Sequence, residues 1–259
     1  MALPFQASAD FAITKDAGTP CHNLQSDFGC GIHMRLRDEG FQGCTVFDCF
    51  GAGQKTAQVT FGGEDWRRAP QTATQMFSVF GVMRQLHELL WYLTEALSLL
   101  PARTLHGELR RSMDETERLT FLSADELQLL DLPAHRETVN SLLLRTSELV
   151  RATARSRSAK GAPRQKKNLR GADLMGAALK GADLRGGNLR GAYLIAADLS
   201  GADLRMADLI GADFRDADLS GADLSESFFV TQPQLNAAKG DAATKLPPSL
   251  MRPTHWTAA

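Results

Sequence analysis

The chain has 259 residues, and its 29 lysines and arginines nearly balance 30 aspartates and glutamates, for a formal net charge of −1. This balance lacks the positive excess that favours nucleic acid or an anionic membrane, so direct nucleic-acid binding is not expected. Apolar stretches are short and interrupted by charge, which argues against a membrane span. No basic segment followed by an apolar run opens the sequence, so we expect no signal peptide and a cytoplasmic protein.

The character of the sequence changes along the chain and predicts five segments. A stretch rich in cysteine, glycine and phenylalanine comes first, followed by residues with helical periodicity, a basic stretch typical of an exposed linker, and a repeat. We predict a Cys-rich module at 1–70, an α-helical bundle at 71–153, a basic linker at 154–167, a β-helix at 168–230, and a C-terminal cap and tail at 231–259.

Three helices are predicted in the second segment. Apolar residues recur at steps of three and four over Met76–Leu97, and Pro101 closes this first helix. A second stripe covers Leu105–Leu119, and a third begins near Pro133. The serine-to-glutamate spacing of Ser123–Glu126 is that of a capping box. These stripes predict a small antiparallel helical bundle.

Leucine or phenylalanine recurs at every fifth residue from Leu169 to Phe229, and an alanine stands two residues before nearly every one. A helix would displace successive leucines by roughly 140°, leaving no buried face. A flat strand would put them on opposite faces. A chain that turns a corner every five residues satisfies the pattern, because four sides close a coil with each leucine and alanine inside.

These repeats, which read NLR-GADLM-GAALK-GADLR from Asn168 onward, resemble the pentapeptide-repeat family, whose pattern is A-(D/N)-L-x-x. The resemblance implies a right-handed quadrilateral parallel β-helix. The predicted fold class is therefore α plus β in several parts, with this solenoid preceded by an α-helical bundle and a small Cys-rich module. The stretch after Phe228 resembles the C-terminal cap of bacterial pentapeptide proteins. It predicts a short helix starting at Thr231 and ending at Gly240, with Trp256 folded back onto it.

Residues beside the leucines point outward, so each side of the coil can be read separately. One side alternates aspartates with Arg185 and Arg205, which predicts a ladder of ion pairs. Another side presents Met175, Tyr193 and Ile195 where other sides carry charge. An outward apolar patch marks an interaction surface. We expect the protein's own helical bundle to dock there, with a homodimer or a foreign protein partner as alternatives.

All four cysteines fall within about thirty residues, in the order Cys21, Cys30, Cys44 and Cys49. Their arrangement resembles the C-terminal half of a family of zinc- or iron-chelating cysteine-cluster proteins, but the upstream C-x-x-C-x-x-x-C-C of that family is absent. The resemblance implies that the four cysteines hold zinc or an iron–sulfur cluster. Ordinary buried thiols and a nucleophilic Cys–His pair are alternatives. A small core around the site is expected from four phenylalanines: Phe28, Phe41, Phe47 and Phe50.

The sequence favours a non-enzymatic interaction or scaffold protein with an unidentified protein partner, with a metal or iron–sulfur centre as a candidate addition. Two alternatives remain at this point. Some pentapeptide-repeat proteins imitate DNA and occupy DNA gyrase, a function that requires a long, strongly acidic rod. The cysteines leave open a cysteine-dependent enzyme.

Overall fold

The structure is a computed structural model that describes residues 3–157 and 168–256. These residues form two compact units. The N-terminal unit comprises Met1–Thr94 and Gly107–Leu142, and the β-helix unit comprises Glu95–His106 and Leu143–Ala259. The helical residues are thus shared between two units, whereas the sequence predicted one separate bundle.

The described part of the chain contains seven α-helical segments. They are α1 (Gln42–Thr45), α2 (Ala52–Gln54), α3 (Ala73–Ser98), α4 (His106–Leu119), α5 (Ala124–Leu129), α6 (Leu132–Arg157) and α7 (Gln232–Ala237). Short 3-10 turns lie at His33–Arg35, Pro70–Thr72 and Leu100–Leu105, and a π-helical turn lies at Lys55–Thr60. Among the described helices, none is both long and apolar enough to cross a membrane.

The predicted start of the linker was wrong. Helix α6 continues to Arg157, and Arg151 and Ala154 are buried in the β-helix unit. Basic and small residues therefore end a helix here, because α-helix tolerates alanine and arginine well. The rest of the predicted linker, residues 158–167, lies outside the described residues.

The N-terminal unit has one core that joins the cysteine-rich residues to the helices. Ala52, from the segment predicted as a separate module, is fully buried in the same cluster as Val79 and Leu86 of α3. The predicted capping box opens α5. The Glu126 amide donates to the Ser123 hydroxyl at 3.3 Å, and the Ser123 amide donates to the Glu126 carboxylate at 2.8 Å.

The repeats form stacked coils in parallel register, twenty residues apart. The amide of Leu174 donates to the carbonyl of Tyr193 at 2.8 Å, and the Tyr193 amide donates to the Ala172 carbonyl at 2.9 Å. Equivalent bridges form four columns, which confirms the four-sided coil; the right-handed sense stays a prediction. The columns are Asn168–Asn188–Asp208–Phe228, Asp173–Tyr193–Asp213, Ala178–Asp198–Asp218–Lys239 and Asp183–Asp203–Asp223–Lys245.

The two ends of the coil differ among the described residues. At the C-terminal end, Phe228 and Phe229 are fully buried, and the Gln234 amide group of α7 donates to the Leu209 and Ala212 carbonyls at 2.9 and 2.8 Å. Trp256 folds back as predicted and donates to the Ala238 carbonyl at 2.9 Å, although α7 ends at Ala237 and not at Gly240. In the first coil, the inward leucines are only half-buried: Leu169, Leu174 and Leu179.

The corners of the coil from Gly171 to Gly221 take a left-handed backbone. Glycine occupies most corners, including Gly201 with φ of +66°. Ala196, Met206 and Asp216 take the same place with φ between +55° and +58°. A side chain in this conformation costs roughly 1–2 kcal/mol, so these three corners are strained.

We expect Ala196→Gly to stabilise the protein by about 0.5–1 kcal/mol, because relief of the left-handed strain exceeds the extra chain entropy that glycine loses on folding. The matched change Gly201→Ala, at a corner with nothing within 4 Å of the added methyl group, should destabilise it by about 1 kcal/mol. Urea unfolding of both variants measures the two effects. Equal stability of the two variants and the wild type would show that the corners are not strained.

Candidate interaction surface and cysteine cluster

The acidic residue of each repeat has a structural role at the corner that follows it. The Asp173 carboxylate accepts from the Met175 amide at 3.2 Å, and Asp198 accepts from the Ser200 amide at 3.0 Å. The Ser200 hydroxyl, at 2.6 Å, and amide hold the pKa of the Asp198 carboxyl below its usual range. Aspartates therefore recur because they satisfy backbone amides where the chain turns.

The predicted ladder of ion pairs is present on one side. Arg185 Nε lies 2.9 Å from a carboxylate oxygen of Asp183 and 3.3 Å from one of Asp203 in the next coil. Arg205 lies 2.6 Å from Asp203 and 4.0 Å from Asp223. These pairs are partly exposed, so each contributes less than about 1 kcal/mol. Their main effect is to neutralise the acidic charge of this side.

The side that contains Leu189 and Leu209 is covered by helical residues of its own unit. The Arg151 guanidinium of α6 donates to the Gly186 carbonyl at 3.1 Å. A methyl group on Gly186 would meet the Ala154 side chain at 2.7 Å, so glycine permits this close approach. Two irregularities in the sequence mark this covered side. They are the repeat GGNLR, which begins at Gly186, and Met206, which replaces a corner glycine.

Covering this side buries a charged group of three residues. Arg190 is 7% exposed and pairs at 3.0 Å with Asp208, which is fully buried. Glu95 of α3 accepts a hydrogen bond from the Phe229 amide at 2.9 Å. The pKa of Glu95 is raised to about 7, mainly by burial; the hydrogen bond from the Phe229 amide lowers it, and the negative charge of Asp208 raises it. Sequence reasoning missed Glu95, because nothing in a helical stripe marks a residue that contacts the β-helix.

The predicted surface of Met175, Tyr193 and Ile195 lies on a different side from the covered one. Met175 and Tyr193 expose 57% and 52% of their surface. The helical residues of the β-helix unit therefore do not make the docking contact that was expected on this patch. The helical residues of the unit contact the side where Gly186 permits close packing.

The patch is built on two rows of stacked residues. Tyr193 bridges Asp173 in the coil before and Asp213 in the coil after, while Ile195 lies one coil beyond Met175. Stacked coils are about 4.8 Å apart, so these side chains are neighbours. The following coil ends the apolar row with Arg215, whose guanidinium contacts the Asp213 carboxylate at 2.7 Å. An aromatic and apolar group bordered by charge results.

The four predicted metal-ligating cysteines are free thiols, with Cys30 exposed and Cys21, Cys44 and Cys49 half-buried. Burial raises the pKa of the Cys44 thiol, and the charges of Cys21 and Cys30 raise it further. Within the described ranges, no group of three or more histidine, cysteine or acidic residues is arranged to hold a metal ion. The geometry thus does not fit a complete metal site.

The expected aromatic core around the cysteines is only partly present. Phe41 is buried and lies 6.4 Å from Phe5, ring centre to ring centre. Phe28 and Phe47 are exposed, which contradicts the prediction for these two residues. Short irregular segments determine which phenylalanines are buried here. The sequence has no periodicity from which their burial could be predicted.

Comparison with known proteins agrees with the repeat geometry. The profile of the family described as pentapeptide repeats matches residues 165–191 and 192–229, with 8 copies. The chain is 59% identical over 256 residues to YybG of Bacillus subtilis (strain 168), covering 99% of this chain and 90% of that protein. The chain belongs to the pentapeptide-repeat family.

Solved pentapeptide-repeat structures are similar to part of the chain. One, from the thylakoid lumen of Arabidopsis thaliana, is 28% identical. The match covers 36% of this chain and 67% of that protein, with a TM-score of 0.17. Another is HetL, described as involved in heterocyst differentiation regulation in the cyanobacterium Nostoc. It is 26% identical, and the match covers 33% of this chain and 47% of HetL, with a TM-score of 0.14.

Glu95 should make the stability of the protein depend on pH. Its folded pKa of about 7 lies above the ordinary value of 4.5, so the folded state binds the proton more tightly than the unfolded state. The free energy of unfolding should therefore fall as pH rises from about 4.5 to 7.

We expect Glu95→Gln to remove this loss, because glutamine keeps an acceptor for the Phe229 amide without the charge. The variant should match the wild type near pH 5 and exceed it by on the order of 1–3 kcal/mol at pH 8. Urea unfolding across this pH range measures the difference. Glu226→Gln, an exposed carboxylate of the same unit, is the control and should not alter the pH slope. A constant difference for Glu95→Gln would contradict the assignment.

Proposed function

We propose that this protein is a non-enzymatic interaction scaffold whose β-helix presents Met175, Tyr193 and Ile195 to a protein partner. Family membership supports the general class, since pentapeptide-repeat proteins are in general scaffold or interaction proteins. The observation that carries the specific surface is the exposure of Met175 and Tyr193 on a side otherwise made of charged residues.

The chemistry of the patch suits a protein interface. Tyrosine and methionine are enriched at such interfaces, and binding energy concentrates in a few aromatic anchors surrounded by polar groups. Asp173, Asp213 and Arg215 supply the polar border here. The backbone below is fixed by the bridges on both neighbouring coils, so a partner would order little of the scaffold on binding.

A photo-crosslinking amino acid at Met175 should capture a defined protein, and the same group at Lys180 on a neighbouring side should not. The captured partner should then lose at least about tenfold in affinity on Tyr193→Ala, which removes the largest exposed anchor. Lys180→Ala is the matched exposed control, with an expected change below twofold. Circular dichroism establishes that each variant is folded.

A partner that binds both variants equally would exclude this patch as its site. A second copy of this chain captured at Met175 would identify the surface as a homodimer interface. Sedimentation at several concentrations would then show a dimer that Tyr193→Ala dissociates.

We also propose, from the sequence resemblance alone, that a bound metal or iron–sulfur cluster draws Cys21, Cys30, Cys44 and Cys49 together into one centre. Protein purified without oxygen should then carry about one zinc per chain, or iron and sulfide with a visible absorption band. Cys44→Ser should reduce the bound metal, and Cys49→Ser tests whether the fourth thiol takes part. A folded protein without stoichiometric metal would exclude the centre.

A further inference from the structure

A cleft in the N-terminal unit has the character of a small-molecule site. Its volume is about 490 Å3, within the range of protein pockets that enclose small ligands. Most of its wall is apolar or aromatic, and it belongs neither to the β-helix surface nor to the cysteine cluster described above. The principal wall residues are Leu24, Phe28, Trp66, Met76, Phe77 and Phe80.

Small residues at one wall leave the space open. Gly53 and Ala57 line the cleft and flank the start of the π-helical turn Lys55–Thr60. The Phe61 amide closes this turn by donating to the Thr56 carbonyl at 3.0 Å. A π-turn is rare and occurs frequently at functional sites, because it displaces side chains from their helical positions.

Thr56, at this wall, carries an unmet hydrogen-bonding group. The residue is 2% exposed, and its hydroxyl has no hydrogen-bond partner among the described residues. Buried polar groups in native proteins are nearly always paired, so an unpaired hydroxyl beside a cavity indicates a missing partner. A ligand that offers one hydroxyl or other hydrogen-bonding group would satisfy it.

The charges around the cleft disfavour an anionic ligand. The charged residues that line it are Glu64 and Asp65, and none of its described lining residues is basic. Arg67 lies beside the cleft, with its guanidinium 4.4 Å from the Phe28 ring, and donates to the Ser26 and Gln25 carbonyls at 2.8 and 2.9 Å. The positive charge of Arg67 offsets the negative charges of Glu64 and Asp65. The apolar interior therefore does not favour a cationic ligand either.

We propose that this cleft binds a neutral aromatic compound whose single hydroxyl group pairs with Thr56. The aromatic walls supply contact area for the ring system, and the Thr56 hydroxyl fixes its orientation. This activity is additional to the scaffold function and does not depend on it.

Three naphthalene probes test the proposal in the full-length protein: 2-naphthol, 2-methylnaphthalene and 2-naphthoate. Amide shifts in nuclear magnetic resonance titrations, with the indole signal of Trp66, report binding at the cleft. We expect saturable binding of 2-naphthol, about five- to tenfold tighter than 2-methylnaphthalene because of one buried hydrogen bond. The anionic 2-naphthoate should bind most weakly.

Two variants assign the site. Thr56→Val keeps the side-chain shape without the hydroxyl, so the preference for 2-naphthol should fall below about twofold while the melting temperature stays equal or rises. Gly53→Leu should fill the cleft, since the first added carbon would lie 3.9 Å from Cys49 and Phe80, and should weaken all binding at least tenfold. Gly81→Leu on α3, with nothing within 4 Å of an added methyl group, is the matched control.

The proposal is overturned if the wild type shows no saturable binding, if Thr56→Val keeps the preference, or if folded Gly53→Leu binds normally. Tighter binding of 2-naphthoate than of 2-naphthol would equally reject a site for neutral compounds. Should Gly53→Leu fail to fold, the Thr56→Val comparison decides alone.

Discussion

The twenty-residue register of backbone hydrogen bonds is the constraint on which the β-helix unit depends. Leucine amides donate to the coil that follows, as Leu199 does to Asp218 at 2.9 Å, and aspartate amides from Asp198 onward donate to the coil that precedes. Once this register is fixed, every outward position has an assigned side and height. The positions of the ion-pair ladder and of the exposed patch are consequences of it.

Covering one side of the coil removes three ionisable side chains from water: Asp208, Arg190 and Glu95. Asp208 cannot reach water, and its pairing with Arg190 offsets the loss of solvation. Burial of the Glu95 carboxyl favours its protonated form, and the negative charge of Asp208 adds to this effect. The Glu95 carboxyl also accepts from the Phe229 amide at the C-terminal end of the coil, within the β-helix unit.

The local and periodic features could be predicted from the sequence, because short-range rules decide them. A period of five identifies the coil, and Ser123 with Glu126 identifies the start of α5. The side that helices would cover could not be predicted, since Arg190 and Arg170 look alike in the repeat and differ only in what packs over them. In the cysteine-rich segment, the burial of Phe41 and exposure of Phe47 follow from irregular turns that have no sequence periodicity.

The structural role of the aspartates bears on DNA imitation as an alternative function. A DNA mimic requires carboxylates whose charge is available to a partner. Here the Asp203 carboxylate accepts from the Arg205 amide and pairs with two guanidinium groups, and Asp223 is shared with Ser225 and Lys245. These contacts use the carboxylates to close corners and to link coils, so little unbalanced negative charge is left along this side. The side with Tyr193 instead offers an aromatic ring and apolar side chains. Because such groups gain free energy by leaving water, this side is better suited to a protein partner than to a site that normally holds DNA.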